Sequence, residues 1–142
     1  MQISNNGLAL IRESEGFRSF VYIDAVGVRT IGYGHVIQPG EFFPSGITEA
    51  QAETLLRQDA GIASSAVGRL APWANQNQHD ALTDFTFQFG EGRLKELLAH
   101  GQAQITAQLP RWVHGNVNGK MTVLAGIVTR RQREIDLFNK PL

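Results

Sequence analysis

The spacing of hydrophobic and polar positions changes character along the chain. Over residues 4–15, Leu8, Ile11 and Glu15 fall on one face at about 100° per residue, which predicts an amphipathic helix. Leu10 lies off this stripe, and Glu13 points nearly the opposite way. Ser4, Asn5 or Asn6 can cap the start of the helix, and Gly16 can end it in a left-handed conformation. Residues 17–47 switch to β-branched and aromatic runs, Phe20-Val-Tyr-Ile23 and Val28-Arg-Thr-Ile-Gly-Tyr-Gly34, joined by the turn Asp24-Ala-Val-Gly27. Gly32 and Gly34 within the second run imply a bend or close approach by another group. Pro39-Gly40 and Pro44-Ser-Gly46 then punctuate a loop. So small a sheet is not stable alone and must lean on helices.

From residue 48 onward the pattern is helical. Thr48-Glu-Ala-Gln51 is a capping box. It opens a long helix with Ala52, Leu55, Leu56, Ala60 and Ala63 as inward positions, ending near Gly68 before Pro72. A second helix runs from Asn77 through Ala81, Leu82, Phe85 and Phe89, and Gly90 stops it. This is the most apolar helix and the predicted centre of the larger lobe. Short helices are expected over 91–99 and near 103–113. Asn116 to Gly119 reads as a loop, and a last helix runs from about Thr122 to Phe138. The predicted class is α+β, mostly helical, with a small N-terminal antiparallel β-sheet. The expected organisation is a single domain over 1–142. Its N-terminal helix and β lobe occupy about 1–47, and a helical lobe occupies about 48–142.

Composition narrows the function classes. The 42% apolar and 18% charged fractions are those of an ordinary soluble globular protein. With no cysteine, disulfides, thiolate metal sites and a cysteine nucleophile are excluded. No apolar run reaches the roughly 18 residues of a membrane span. The N-terminus, Met1-Gln-Ile-Ser-Asn-Asn, lacks the basic and apolar regions of a signal peptide. Net charge is zero but uneven. Residues 1–109 hold seven Lys/Arg against eleven Asp/Glu, whereas 110–142 hold Arg111, Lys120, Arg130, Arg131, Arg133 and Lys140 against Glu134 and Asp136. A basic tail can attract an anionic polymer, but a solvated helix face is the simpler expectation.

Candidate chemistry concentrates at the first helix and the strands after it. Glu15 shares the inward face of the helix and sits in its last turn, against the negative end of the dipole. Burial and dipole both disfavour the ionised carboxylate and favour a carboxylic acid able to donate a proton. By position alone it could equally be a surface residue at a frayed helix end. Asp24 alone is an ordinary turn residue, and Thr30 alone an ordinary strand residue.

Together, Glu15-Gly16, Tyr22-x-Asp24-x-x-Gly27 and Thr30-Ile-Gly-Tyr-Gly-His35 resemble the phage-type lysozymes (T4- and P22-like endolysins, glycoside hydrolase family 24). The Glu, Asp and Thr stand at that family's spacing of nine and six residues. Asn77 to Gly90 is similar to the family's central helix. Pro110-Arg-Trp112 and Leu124-Ala-Gly126 to Phe138 are similar to its C-terminal helices. Residues 91–109 depart, being shorter and lacking a Ser/Thr-Leu-Leu motif.

The resemblance implies a lysozyme-like fold and hydrolysis of the β-1,4 bond between N-acetylmuramic acid and N-acetylglucosamine in peptidoglycan. Glu15 would protonate the leaving oxygen, and Asp24 and Thr30 would position or activate a water. The family is considered inverting, which calls for carboxyl groups about 6.5–9.5 Å apart. Val36, Phe87 and Gln88 match sugar-facing positions; Phe87 could equally be core, and Tyr33 could stack on a sugar ring or pack in the sheet. His35 is expected to be structural, bonded to an acid of the larger lobe. Arg130 corresponds to an arginine that pairs with the catalytic Glu, and such a pair would oppose the effect of burial on Glu15.

No metal or cofactor is required. The expected partner is the peptidoglycan glycan strand, with no nucleic acid, no stable membrane insertion and a monomeric state. The enzyme would be made in a bacterial host cytoplasm and reach the wall by holin-type release or through a tail or secretion device. Two other readings are a lytic transglycosylase, which needs one acid and no second carboxylate, and a non-catalytic peptidoglycan-binding protein, which needs neither.

Overall fold

The computed structural model describes residues 1–142 apart from the side chain of Asn116. Helix α1 spans Asn5–Glu15. The Ser4 hydroxyl accepts from the Gly7 amide at its start. Gly16 closes it at φ 70°, a conformation that suits glycine, and returns its N–H to the Arg12 carbonyl. Three short strands follow: β1 (Arg18–Ile23), β2 (Arg29–Gly32) and β3 (His35–Val36). They form one antiparallel sheet in the order β1-β2-β3. The register sets Thr30 of the central strand opposite Tyr22 on one side and Val36 on the other.

Helix α2 (Glu49–Leu70) opens on the Thr48/Gln51 capping box, with both reciprocal hydrogen bonds formed. Helix α3 (Gln76–Phe89) opens on a second box, Asn75 with Gln78. Helix α4 (Glu91–Leu98) follows directly, with Gly90 at φ 88° making the corner. The chain then departs from the single helix expected near 103–113. A 3₁₀ turn at Gln102–Gln104, one α-helical turn, α5 (Ile105–Gln108), and a second 3₁₀ turn at Leu109–Arg111 take its place. Pro110 lacks the amide that a continuous helix would require there.

The expected loop at 116–119 and helix start near Thr122 are also corrected. Residues 114–123 form a hairpin, β4 (His114–Val117) with β5 (Lys120–Val123). Its two-residue turn places Asn118 at φ 52° and Gly119 at φ 81°. That is the Asn-Gly signature of a twist-compatible hairpin turn. Helix α6 begins only at Ala125 and runs to Asn139.

Helix α3 is the central element, packed mainly against α2 and α6. The larger apolar cluster includes Val67, Leu82, Phe85, Leu94, Leu97, Ile105 and Leu109. A smaller one joins Leu8, Ile11, Leu56 and Ala60, with Tyr33 and Phe87 packed against it, and ties the β-sheet region to the helices. Leu55 is only half-buried, so the inward stripe of α2 is narrower than expected.

The centrality of α3 forces its polar residues inside as well. His79, Asp80, Thr83, Asp84 and Thr86 are all buried. Each must be hydrogen-bonded to be tolerated there. Thr83 and Thr86 donate to the carbonyls of His79 and Leu82 at 2.7 Å. His79 meets Ser64 at 2.8 Å. Asp80 accepts from the Ser4 amide at 3.0 Å, and Asp84 from Arg130. The basic tail is solvated only in part: Arg111, Lys120 and Lys140 are exposed, whereas Arg130 and Arg131 are buried. Among the described residues, no helix is long and apolar enough to cross a membrane.

Candidate active site

The helix end delivers Glu15 to the junction of sheet and helices, its side chain about one-fifth exposed (20%). Its carboxyl group lies against Gly34, where a Cβ would stand 2.6 Å from the Glu15 carboxyl carbon. Gly34 is therefore needed twice over, for this close approach and for its φ of 73°. Arg130, reaching from α6, donates Nη1 to Glu15 Oε1 at 3.1 Å. The same guanidinium clamps Asp84 with Nε and Nη2, both at 2.9 Å. Burial works against the Arg130 charge, but Asp84 and then Glu15 outweigh it and hold the guanidinium pKa above its ordinary value.

Asp24 sits half-buried in the turn between β1 and β2. Its Oδ1 accepts from the amides of Val26 at 3.0 Å and Val28 at 2.8 Å, an Asx-type closure that fixes the carboxylate. Thr30, on β2, is buried and donates Oγ1 to the Val28 carbonyl at 2.9 Å. Tyr22 pairs with Thr30 across the strands. Burial and then the charge of Glu15 push the Tyr22 hydroxyl above its usual pKa, with Asp24 adding in the same direction. The turn also meets the hairpin: a Cβ at Gly115 would stand 2.8 Å from Val26 Cγ1.

A groove is lined by Gly34, His35 and Val36 and by residues of α2 and α3, with the ion-paired Arg69 and Glu91 also on its wall. Val36 is exposed on its wall, and Phe87 lines it while packing on the Leu8/Ile11 cluster. Tyr33 and Gln88 do not line this groove. Tyr33 packs on the smaller apolar cluster beside the Phe17 ring, 5.6 Å between centroids. Gln88 is turned inward, its Oε1 accepting from Arg131 Nη2 at 2.6 Å.

His35 sits at the base of β3, with Nδ1 2.7 Å from Asp59 Oδ2 and Nε2 2.8 Å from Glu41 Oε1. Burial lowers the affinity of its ring for a proton, but the hydrogen bonds and charges of Asp59 and Glu41 win and hold its pKa above the usual imidazole value. Among the described residues, no three His, Asp or Glu side chains converge as a metal-ligand group.

Around Arg130 the structure adds a set of residues that spacing did not single out. Arg131 holds Glu134 through Nε at 2.6 Å and Nη2 at 2.7 Å, with Nη1 on the Trp112 carbonyl at 3.1 Å. Asp84 and Glu134 are fully buried. The available signals were the three-residue spacing of Arg131 and Glu134, which puts them on one helix face, and an Asp amid the apolar positions of α3.

The chain matches the family model described as phage lysozyme over residues 12–134, and it belongs to that family. It is a glycoside hydrolase of the lysozyme type, with an α+β lysozyme-like fold. It is 35% identical to an endolysin of Acyrthosiphon pisum secondary endosymbiont phage 1, covering 97% of this chain and 98% of the relative. It is also 35% identical to the endolysin of Lactococcus phage c2, of whose length it spans 62%. Among solved structures, the muramidase domain of SpmX from Asticaccaulis excentricus superposes with a TM-score of 0.83 at 31% identity, covering 99% of both chains. The endolysin from Escherichia coli O157:H7 phage FAHEc1 gives 0.83 at 30% identity, covering 98% of this chain and 94% of that one.

Proposed function

We propose that the protein is a muramidase that hydrolyses the β-1,4 bond between N-acetylmuramic acid and N-acetylglucosamine with inversion. Glu15 is the general acid, and Asp24 and Thr30 hold the water. The observation that supports this reading is the packing of Glu15 on Gly34, itself a residue of the groove wall, with Arg130 clamped on its carboxyl group.

Asp24 Oδ1 is occupied by two backbone amides, which leaves Oδ2 to accept one proton of a water. Thr30 spends its own proton on the Val28 carbonyl and so can only accept from that water. Held this way, the water attacks the anomeric carbon as Glu15 gives its proton to the leaving oxygen, and Asp24 Oδ2 takes a proton from the attacking water. Val36 and Phe87 would face the sugar. In this reading one catalytic domain acts as a monomer on glycan strands, binds no nucleic acid, and reaches the wall through release or delivery by other proteins.

Clearance of purified cell walls by wild type and Glu15→Gln is the test. Loss of a general acid costs about 10²–10⁴-fold, and a Glu15→Gln enzyme with full activity would sink the assignment. Reducing ends in the digest support hydrolysis, whereas anhydro-muramic ends mean a transglycosylase.

A further inference from the structure

A second cavity, of about 430 Å³, shares no lining residue with the groove. That size suits a small ligand or one segment of a larger one. Its wall takes Phe89 from α3, Arg93 from α4, His100 from just beyond α4, Arg111 and Trp112 from the end of the second 3₁₀ turn, and His114 from β4. The apolar part of this wall is well fixed. Phe85, Phe89 and Trp112 form a three-ring cluster with centroids 5.0, 5.4 and 5.7 Å apart. Arg131 Nη1 holds the Trp112 carbonyl from behind at 3.1 Å.

The polar part of the wall carries no negative charge. No Asp or Glu lines the cavity, and the sequence from Leu97 to Arg133 contains none. Arg93 is paired with Glu96 at 2.8 Å and lies over the Trp112 ring at 6.0 Å. Among the described residues, Arg111, His100 and His114 make no ion pair, and all three are exposed. A guanidinium with no acid partner, beside a fixed aromatic wall, is suited to an oxyanion, and its planar fork matches phosphate oxygens.

The hairpin stands between this cavity and the Asp24 turn. Successive residues of a strand face opposite ways. His114 and Met121 line the cavity, whereas the Cβ position of Gly115 meets Val26 of the Asp24 turn on the other face. A ligand held by His114 therefore lies across the hairpin from Asp24 and leaves the groove free for sugar.

We propose that this cavity is an exosite for a phosphodiester polymer of the cell envelope. Arg111 donates its fork to one phosphate. His100 and His114 donate ring N–H groups to the same phosphate or to the next one along the polymer. Phe89 and Trp112 pack on the carbon units between phosphates. The exosite goes beyond the muramidase reading and does not depend on Glu15. It concentrates the enzyme on an anionic wall by short-range contacts, in addition to any long-range attraction.

The probe is a short poly(glycerol phosphate), titrated at fixed ionic strength and followed by NMR at the two indole N–H groups. Trp112 is expected to shift saturably. Trp73, which packs on the Phe138 ring outside the cavity, is expected to stay still. Arg111→Gln/His114→Gln is expected to weaken Kd by about tenfold or more, the loss of hydrogen bonds to a charged group. Its melting curve should match wild type, because both side chains are exposed and unpaired. Glu15→Gln is expected to bind the polymer as wild type does, so failure of the catalytic assignment would leave this result standing.

A Trp112 signal that does not shift, or a double variant that binds as tightly as wild type, overturns the proposal. Equal binding of poly(glutamate) of matched charge also overturns it, by making the cavity a carboxylate site. Phosphatidylglycerol vesicles are the last arm. Retention of wild type on them, with no binding of the soluble polymer, would assign the cavity to a membrane surface and overturn the proposal as well.

Discussion

Arg130 holds Glu15 and Asp84 at once, one through Nη1 at 3.1 Å and the other through two bonds of 2.9 Å. The pairing joins the end of α1 to α3 through α6, so the same side chain that steadies Glu15 also neutralises a buried aspartate. Removing it leaves Asp84 charged and unpaired in a dry interior. Arg130→Met is expected to cost about 3–5 kcal/mol of stability, and Arg130→Met/Asp84→Leu to cost less although it changes two residues. Urea unfolding of the two variants measures the difference. Equal losses would mean that the bidentate pair is not what makes the single change costly.

Gly34 carries the tightest steric demand at the site. A Cβ there would stand 2.6 Å from the Glu15 carboxyl carbon, on a backbone at φ 73°. Gly34→Ala is expected to cost about 1–3 kcal/mol in backbone strain and, by displacing the carboxyl by about 1 Å, on the order of 10²-fold in activity. A melting curve beside a wall-clearance assay separates the two effects. Retained activity would show that Glu15 can be moved without loss.

His35 makes stability depend on pH. Its folded-state pKa lies above the ordinary imidazole value because Asp59 and Glu41 outweigh burial. The protonated ring therefore contributes stability that is fully present below about pH 6.5. That contribution is lost as pH rises through the folded value, since the native state binds the proton more tightly than the unfolded chain. Wild type should lose stability relative to His35→Gln as pH climbs from 6 toward 9, by an amount on the order of 1.5–3 kcal/mol, that of a hydrogen bond to a charged group. Parallel curves for the two proteins would show that the ring titrates alike when folded and unfolded.

The basic tail divides into two kinds of arginine. Arg131 is sealed in the Glu134 pair, whereas Arg133 is partly exposed, its nearest acid being Glu13 at 3.4 Å. Charge reversal at the two positions should fail differently. Arg131→Glu is expected to abolish cooperative folding, because it sets like charges together in the core. Arg133→Glu is expected to fold normally and to slow wall clearance at low salt, with the loss fading at high salt as screening removes long-range attraction. A loss equal at both salt concentrations would exclude steering.

Local rules reached much of this molecule. Ser4, the Thr48/Gln51 box and Gly90 marked helix ends through hydrogen bonds made within a few residues. The Asp24 to Gly27 turn and the glycines at Gly32 and Gly34 were legible for the same reason. Asn118-Gly119 was an equally local hairpin signal, yet the surrounding helical pattern concealed it. The helix expected near 103–113 failed because a run of plausible helical residues does not show where packing on α4 and α6 will break it.

The sequence by itself determined the helix caps, the small antiparallel sheet, the α+β class and the order Glu15, Asp24, Thr30, because propensity, turn chemistry and motif spacing are properties of neighbouring residues. Only the tertiary structure decided that Arg130 spans Glu15 and Asp84, that Arg131 and Gln88 turn inward, and that Glu134 is buried against Arg131. Those partners lie up to 115 positions apart. Whether a charged side chain is solvated or buried depends on what the folded chain brings against it, and spacing along one helix carries no record of that.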